Sequence, residues 1–411
     1  MYFAIWAAYC RGTEDLVYRG YGLRRPWLVV QGEAIMTTAT RHGDLQQPGR
    51  AQPTAKSRIG LIVALSMAAG LIAAVVLVAM PFIPARENVL TGVVLLAFAL
   101  GWALLAVLST RFSDQPQRWA AAPAMFMAVA GLVSLSGSAA VQAGFSWIWP
   151  PVLFGLVVWM FLRVRRDMRT RIGRWLLYPV LAVLMIASVG GGYQTVRESL
   201  DAKAYPPPGQ LIDVGGHRLH LYCTGSGSPT VVLEPGGGAS SSDLGWITLA
   251  VARDTRVCVY DRAGRGWSAA ADGPQDGNHI AADLHTLLQR AQVPGPYVLA
   301  GHSFGGLYVQ SFAAQFPDQV AGMVLLDSTA PKPGPAQPNT DPYNVIGRVA
   351  ALSAASAHLG AGRLLNPFSY TTLPPRSRDE ARATSSTASS VASSVEEFAR
   401  ASSRERGGRV V

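Results

Sequence analysis

Long stretches of this chain carry no charge. Five segments, roughly Ile59–Ile83, Val89–Ser109, Ala120–Gln142, Phe145–Leu162 and Trp175–Gly192, contain no Asp, Glu, Lys or Arg. They contain no histidine either, so they hold none of the relays or ion ligands that mark a transport path. Each is close to the ~20 residues needed to cross a hydrocarbon core. A buried helix of a globular core would be shorter and interrupted by polar positions. The reading is five transmembrane helices that act as an anchor in a multi-pass membrane protein. Phe145–Leu162 is the weakest of them, because Pro150-Pro151 fits a re-entrant element or a continuation of the preceding span. Ser134, Ser136, Gly137 and Ser138 are read as a small-residue helix-packing patch.

The second half lacks a basic stripe. Residues 211–411 hold 16 Lys+Arg against 16 Asp+Glu, whereas residues 1–210 hold 19 against 9, so the whole formal charge of +10 sits in the apolar half. Membrane topology accounts for that excess better than phosphate binding, and no nucleic-acid partner is expected. Arg41, Arg50, Lys56 and Arg58 precede the first span, Arg111 and Arg118 lie between the second and third, and Arg163, Arg165, Arg166, Arg169, Arg171 and Arg174 follow the fourth. With five spans this places the N-terminus and the Arg-rich turn in the cytoplasm and the C-terminal domain outside it. Trp102, Trp119, Trp147, Trp149 and Trp175 are expected as interfacial anchors. The N-terminal residues 1–58 read as a polar tail, and Met36 opens a stretch suited to precede a first span, so translation starting there is an expectation alongside Met1. The stretch 194–210, ending in Pro206-Pro207-Pro208, reads as a stiff linker.

From residue 211 strand and helix signals alternate. Gln210–Val214 and Arg218–Cys223 flank Gly215-Gly216 as a hairpin; Thr230–Leu233 and Arg256–Tyr260 are short buried strands, Tyr297–Ala300 and Met323–Leu326 are further strands, and Ile280–Ala291 is an amphipathic helix. Alternation of this kind implies a largely parallel sheet with helices on both faces. The fold class expected is therefore a transmembrane helical bundle followed by an α/β domain.

The chemistry is concentrated at Gly301-His-Ser303-Phe-Gly305. It follows an apolar strand and precedes a helix-compatible run, the setting in which a serine sits on a sharp turn with its hydroxyl above the sheet. Gly301 and Gly305 let neighbouring backbone pass close to that turn. Together with Gly236-Gly237-Gly238 after the third strand, Asp261-x-x-Gly264-x-Gly266-x-Ser268 after the fourth and Leu-Leu-Asp327-Ser after the sixth, residues 211–331 resemble the first two-thirds of an α/β-hydrolase domain. A multi-span anchor ahead of such a domain is similar to an arrangement in actinobacterial hydrolases of unassigned substrate. The resemblance implies acyl transfer, with Ser303 attacking an ester- or amide-like carbonyl of a small or lipid-like substrate. The oxyanion would be held by the backbone N–H of Phe304 and one from Gly237 or Gly238. No cofactor and no metal are implied. His217-x-x-His220 is strand-spaced, which puts the rings on opposite faces and argues against a metal pair. Asp327 is a candidate triad acid, its bland alternative being to close the sixth strand. In this fold's usual strand order 1-2-4-3-5-6 the strands of Cys223 and Cys258 are neighbours, so a disulfide outside the cytoplasm stands against two reduced thiols.

The triad of this superfamily runs Ser, acid, His along the chain. Only His358 follows Ser303, and its Ala-rich surroundings resemble a cap helix near Val345–Leu365 rather than a post-strand loop. After Pro331 there is no apolar strand followed by Gly-x-x-Asp or Gly-x-x-His, and Arg376–Val411 is a Ser/Ala/Arg-rich tail with little to bury. The expectation is a reading frame truncated or shifted inside the cap, with an exposed sheet edge. The competing reading is a non-catalytic hydrolase-like membrane protein.

Overall fold

A computed structural model describes residues 58–271, 273, 275–330, 344–365 and 370–404. The N-terminal tail, the Met36 start, Cys10 and His42 lie outside the described residues. Five helices open the described chain: α1 (Ile59–Ala79), α2 (Glu87–Phe112), α3 (Ala121–Leu135, entered through a 3-10 turn at Arg118–Ala120), α4 (Ala139–Asp167) and α5 (Arg171–Ala204). All five are long and apolar enough to cross a membrane by length and composition.

Small residues set the helix crossings, at other positions than the sequence suggested. A Cβ on Gly70 would lie 3.1 Å from the Cα of Gly101, so α1 and α2 touch backbone to backbone; Gly131 likewise meets the Gly92 carbonyl, at 2.9 Å, where α2 crosses α3. Ser136, Gly137 and Ser138 form the turn between α3 and α4 instead of a packing patch, Gly137 taking φ 67°. The prolines do not break α4 either: it runs unbroken through Pro150-Pro151 for 29 residues. Proline at position 150 leaves the Ser146 carbonyl without its helical donor, and the Thr195 hydroxyl of α5 lies 3.3 Å from it, while the Ser188 hydroxyl donates to the Pro150 carbonyl at 2.8 Å. Side chains of the neighbouring helix thus serve the backbone around the two prolines. Trp102 and Trp119 are buried in the bundle with rings 6.0 Å apart, contrary to the interfacial role expected; Trp147 and Trp175 are exposed.

The two ends of the bundle are distinct. At one end the Arg169 N–H donates to Gln115 Oε1 at 2.8 Å, joining the α2–α3 connection to the Arg-rich α4–α5 turn. The α1–α2 turn and the C-terminus of α5 lie at the other. The linker expected at 194–210 is helical through Ala204, supported by Gln194–Glu198 and Arg197–Asp201 contacts one turn apart.

Strands follow: β1 (Gln210–Asp213), β2 (Arg218–Thr224), β3 (Thr230–Glu234), β4 (Val257–Tyr260), β5 (Tyr297–His302) and β6 (Val320–Leu326), in the order β1-β2-β4-β3-β5-β6. β3, β4, β5 and β6 are mutually parallel, and β1-β2 form the antiparallel hairpin. Short α6 (Gly245–Val251), α7 (Gly277–Arg290) and α8 (Phe304–Gln315) connect them. Leu284, Leu287 and Leu288 of α7 and Val309 and Phe312 of α8 close a core with Val232, Tyr260 and Leu299. β6 is an outer strand, and Met323, Val324, Leu325 and Leu326 on it are all exposed.

The last helices are α9 (Val345–Ala357), α10 (Ala361–Leu365), α11 (Pro375–Ser385) and α12 (Ala388–Arg404). α9 packs on the α1–α2 turn, where the buried Arg348 donates to the carbonyls of Val78, Met80 and Ile83. The tail expected to have little to bury does bury Ala388, Ser390 and Glu397, because α12 is strongly amphipathic and lies against α9 and the carboxyl edge of the sheet.

Candidate active site

Ser303 stands between β5 and α8 at φ 51°, ψ −121°, the only residue between strand and helix. That backbone conformation is costly for a residue with a Cβ, about 1–3 kcal/mol. Two bonds pin it: the Ser303 N–H donates to the Leu326 carbonyl and the Thr329 N–H donates to the Ser303 carbonyl, both at 3.1 Å. Gly301 and Gly305 have a measurable steric reason. A Cβ on Gly301 would lie 2.5 Å from the Gly305 carbonyl oxygen, and one on Gly305 would lie 2.5 Å from that of Glu234. Gly306, which the motif did not flag, is as constrained: its Cβ would fall 1.7 Å from Ser328 Oγ.

The glycine loop after β3 faces this turn. A Cβ on Gly237 would lie 2.4 Å from the Phe304 ring, so bare backbone abuts the residue after the serine. Phe304 is the first residue of α8, and its N–H has no intrahelical acceptor. The Gly238 N–H is already engaged, donating to Glu397 Oε2 at 2.9 Å. Gly238 takes φ 77°, and a Cβ there would touch the Phe398 ring at 3.0 Å. Phe398 in turn packs on Phe304 with centroids 5.6 Å apart.

The loop is held from below by residues of the segment after β4. Arg262 donates to Glu234 Oε1 at 2.5 Å and to the carbonyls of Pro235 and Gly236 at 2.8 Å. Asp261 accepts from the Ser241 N–H at 2.6 Å, from the Trp267 N–H at 3.2 Å and from His220 Nδ1 at 2.8 Å. Gly266 exists because a Cβ would lie 2.1 Å from Asp261 Oδ2. The Asp-x-x-Gly-x-Gly-x-Ser motif is therefore a brace for the glycine loop. Sequence reasoning found the motif but missed Arg262, whose signal was only a cation next to a motif aspartate.

Burial raises the Glu234 carboxyl to about 7, Arg262 opposing only in part. Burial also pushes on Glu397, but Arg262 and Arg265 together hold that carboxyl below the ordinary carboxylate range. Glu397 accepts from Arg262 and Arg265 at 2.9 Å each and from the Tyr308 hydroxyl at 2.8 Å. A cavity of about 230 Å³ is lined by this same Arg262–Glu397 pair; Ser303 does not line it.

Asp327 follows β6 directly at φ 44° and is exposed. Five of the six described histidines are committed elsewhere. His217 pairs with Asp283, His220 with Asp261, His279 with Asp276 and His358 with Glu87. His285 stacks on Phe316, and His302 packs over Gly236. Cys223 and Cys258 face each other across β2 and β4 and are joined by a disulfide. Among the described residues no group of three or more His, Cys, Asp or Glu is placed to hold a metal ion.

Residues 229–355 match the family model of the alpha/beta hydrolase fold. An uncharacterized protein of Schizosaccharomyces pombe is 36% identical over 155 residues, which cover 30% of this chain and 29% of that protein. An uncharacterized vacuolar membrane protein of Saccharomyces cerevisiae is 28% identical over 134 residues, 27% of this chain and 20% of its own length. The chain thus spans less than a third of the length of these two relatives. Among solved structures, an esterase from Thermogutta terrifontis is 25% identical with a TM-score of 0.35, covering 44% of this chain and 67% of that one.

Proposed function

We propose that this chain, whose sheet-bearing part belongs to the alpha/beta hydrolase fold family, is a membrane-anchored hydrolase that uses Ser303 as its nucleophile on an ester- or amide-like carbonyl. The observation that carries the reading is the conformation of Ser303. A strained φ of 51° at the carboxyl edge of a parallel sheet, bounded by glycines that tolerate no Cβ, is what presents a hydroxyl to a substrate. In the reaction Ser303 Oγ bonds to the carbonyl carbon and the C=O electron pair moves onto oxygen. The N–H groups of Phe304 and Gly237 receive that negative charge. Collapse breaks the bond to the leaving heteroatom, which departs as alcohol or amine with the proton given up by Ser303. Water then adds to the acyl carbon, the acid leaves and a proton from that water returns to Ser303 Oγ.

Attack also requires a base for the hydroxyl proton; five of the six described histidines are paired or stacked with other side chains, and the sixth, the exposed His302, lies over Gly236. This favours a second reading, a hydrolase-like membrane protein whose serine is present without activation. A fluorophosphonate probe separates the two. Labelling that disappears in Ser303→Ala supports the nucleophile, whereas silence in folded protein supports the non-catalytic reading. The sheet domain lies at the end of the bundle opposite the Arg-rich α4–α5 turn, which supports an extracytoplasmic placement. Protease accessibility in oriented vesicles tests it.

A further inference from the structure

The Glu397 carboxylate occupies a site that has the makings of a receptor. Two guanidiniums, a phenol and a backbone amide converge on it: Arg262 and Arg265 at 2.9 Å, the Tyr308 hydroxyl at 2.8 Å and the Gly238 N–H at 2.9 Å. Arg262 and Arg265 are 5% and 3% exposed, so the cations are built into the fold and are not surface charges that happen to point inward. Arg265 Nε is buried with no hydrogen-bond partner, one donor more than Glu397 uses. The acidic groups facing this cluster are Glu234, which shares Arg262, Asp243, which accepts from Ser240, Asp261, which is taken by His220, and, across the adjoining cavity, Glu396 and Glu87, the latter paired with His358. Without Glu397, Arg265 has no carboxylate within hydrogen-bonding distance, and its Nη2 and the Gly238 N–H lose their acceptor.

The group that fills the site is carried on a single helix. α12 is mostly Ala and Ser up to its Glu397-Phe398 pair, and its other ties to the sheet domain include Ser393 Oγ to the Ala263 carbonyl and Ser394 Oγ to Arg265. The roughly 230 Å³ cavity beside the pair, lined also by Ala263, Ala388, Glu87 and Glu396, leaves room for the body of a small acid.

We infer that this cluster is a binding site for the carboxylate of a ligand, and that Glu397 is an internal stand-in for it. Because Gly238 belongs to the loop that faces Ser303, the bound carboxylate would sit on the shared loop, between the cavity and the serine turn. The substrate class is then an acyl compound bearing a free carboxylate. Only that last step rests on the hydrolase reading; the carboxylate site itself does not.

The glutamate side chain beyond Cα is a propionate, which defines the probe. The full chain in detergent with Glu397→Ala is melted against sodium propionate, with sodium chloride at equal ionic strength and neutral propionamide as controls. The expected result is a saturating, propionate-specific rise in melting temperature, roughly 3–6 °C at about ten times the dissociation constant. Wild type shows no such rise, because its own carboxylate holds the site. Adding Arg265→Gln to Glu397→Ala abolishes it. A folded Glu397→Ala protein that responds equally to propionate, chloride and propionamide overturns the inference. Should that variant not fold in chloride, refolding it in sodium propionate is expected to restore a cooperative melt where propionamide does not, and no rescue overturns it. Ser303→Ala must leave the response unchanged. Propionate binding with an unreactive serine therefore refutes the enzyme and spares the site, and the reverse result does the opposite.

Discussion

Gly305→Ala is the sharpest test of the serine turn, since one added methyl meets two backbone oxygens before any side chain. Its Cβ would lie 2.5 Å from the Glu234 carbonyl oxygen and 2.6 Å from that of Pro235, distances real Cβ atoms do not reach. Both oxygens end a central strand bonded to β4 and β5, so neither can rotate away as a side chain would. Overpacking of this kind costs about 1–3 kcal/mol. Alanine's helix propensity returns at most about 1 kcal/mol, and less in the first turn of α8. A net loss of roughly 1–2 kcal/mol is expected. The accommodation must push the β3 loop away from Phe304, separating the two oxyanion donors, so serine labelling should fall by about 10²-fold or more. Gly322→Ala is the matched control. Its Cβ would sit 3.9 Å from Val298 Cγ2, an ordinary contact, and it should be neutral or stabilising by about 0.4–1 kcal/mol. Denaturant midpoints and probe-labelling rates are measured on both. A Gly305→Ala protein as stable and as reactive as Gly322→Ala would refute the reasoning.

Three further outcomes are expected. Ser303→Gly relieves the φ of 51° and should stabilise the fold by about 1–2 kcal/mol in denaturant titration while ending all labelling. Glu234 has its carboxyl raised from 4.5 to about 7, so the folded state favours the protonated form. Its contribution is greatest below pH 4.5 and is lost as pH rises through 7; relative to Glu234→Gln, wild type should lose on the order of 3 kcal/mol between pH 4 and 8, and a pH-independent difference would contradict the burial argument. Reducing the Cys223–Cys258 bridge, which closes a separation of 35 residues, should cost about 3–4 kcal/mol, read from melts with and without reductant.

Much of this molecule is legible along the chain. Uncharged runs near bilayer length favour long apolar helices, so the five helices follow from residue type alone. The strand–Gly-x-Ser-x-Gly–helix order follows from local geometry too, because the turn at Ser303 must bring Gly305 onto the backbone of β3. Other features depend on neighbours distant in sequence. That α4 survives Pro150-Pro151 depends on Ser188 and Thr195 of another helix, and helix packing falls to Gly70–Gly101 and Gly92–Gly131 instead of the Ser134–Ser138 patch. The Ser/Ala/Arg-rich tail has low propensity to bury anything by itself, yet α12 carries Glu397 into the guanidinium pair. That placement is decided by two arginines more than a hundred residues upstream, whose charges have no acceptable partner until the tertiary fold brings a carboxylate to them.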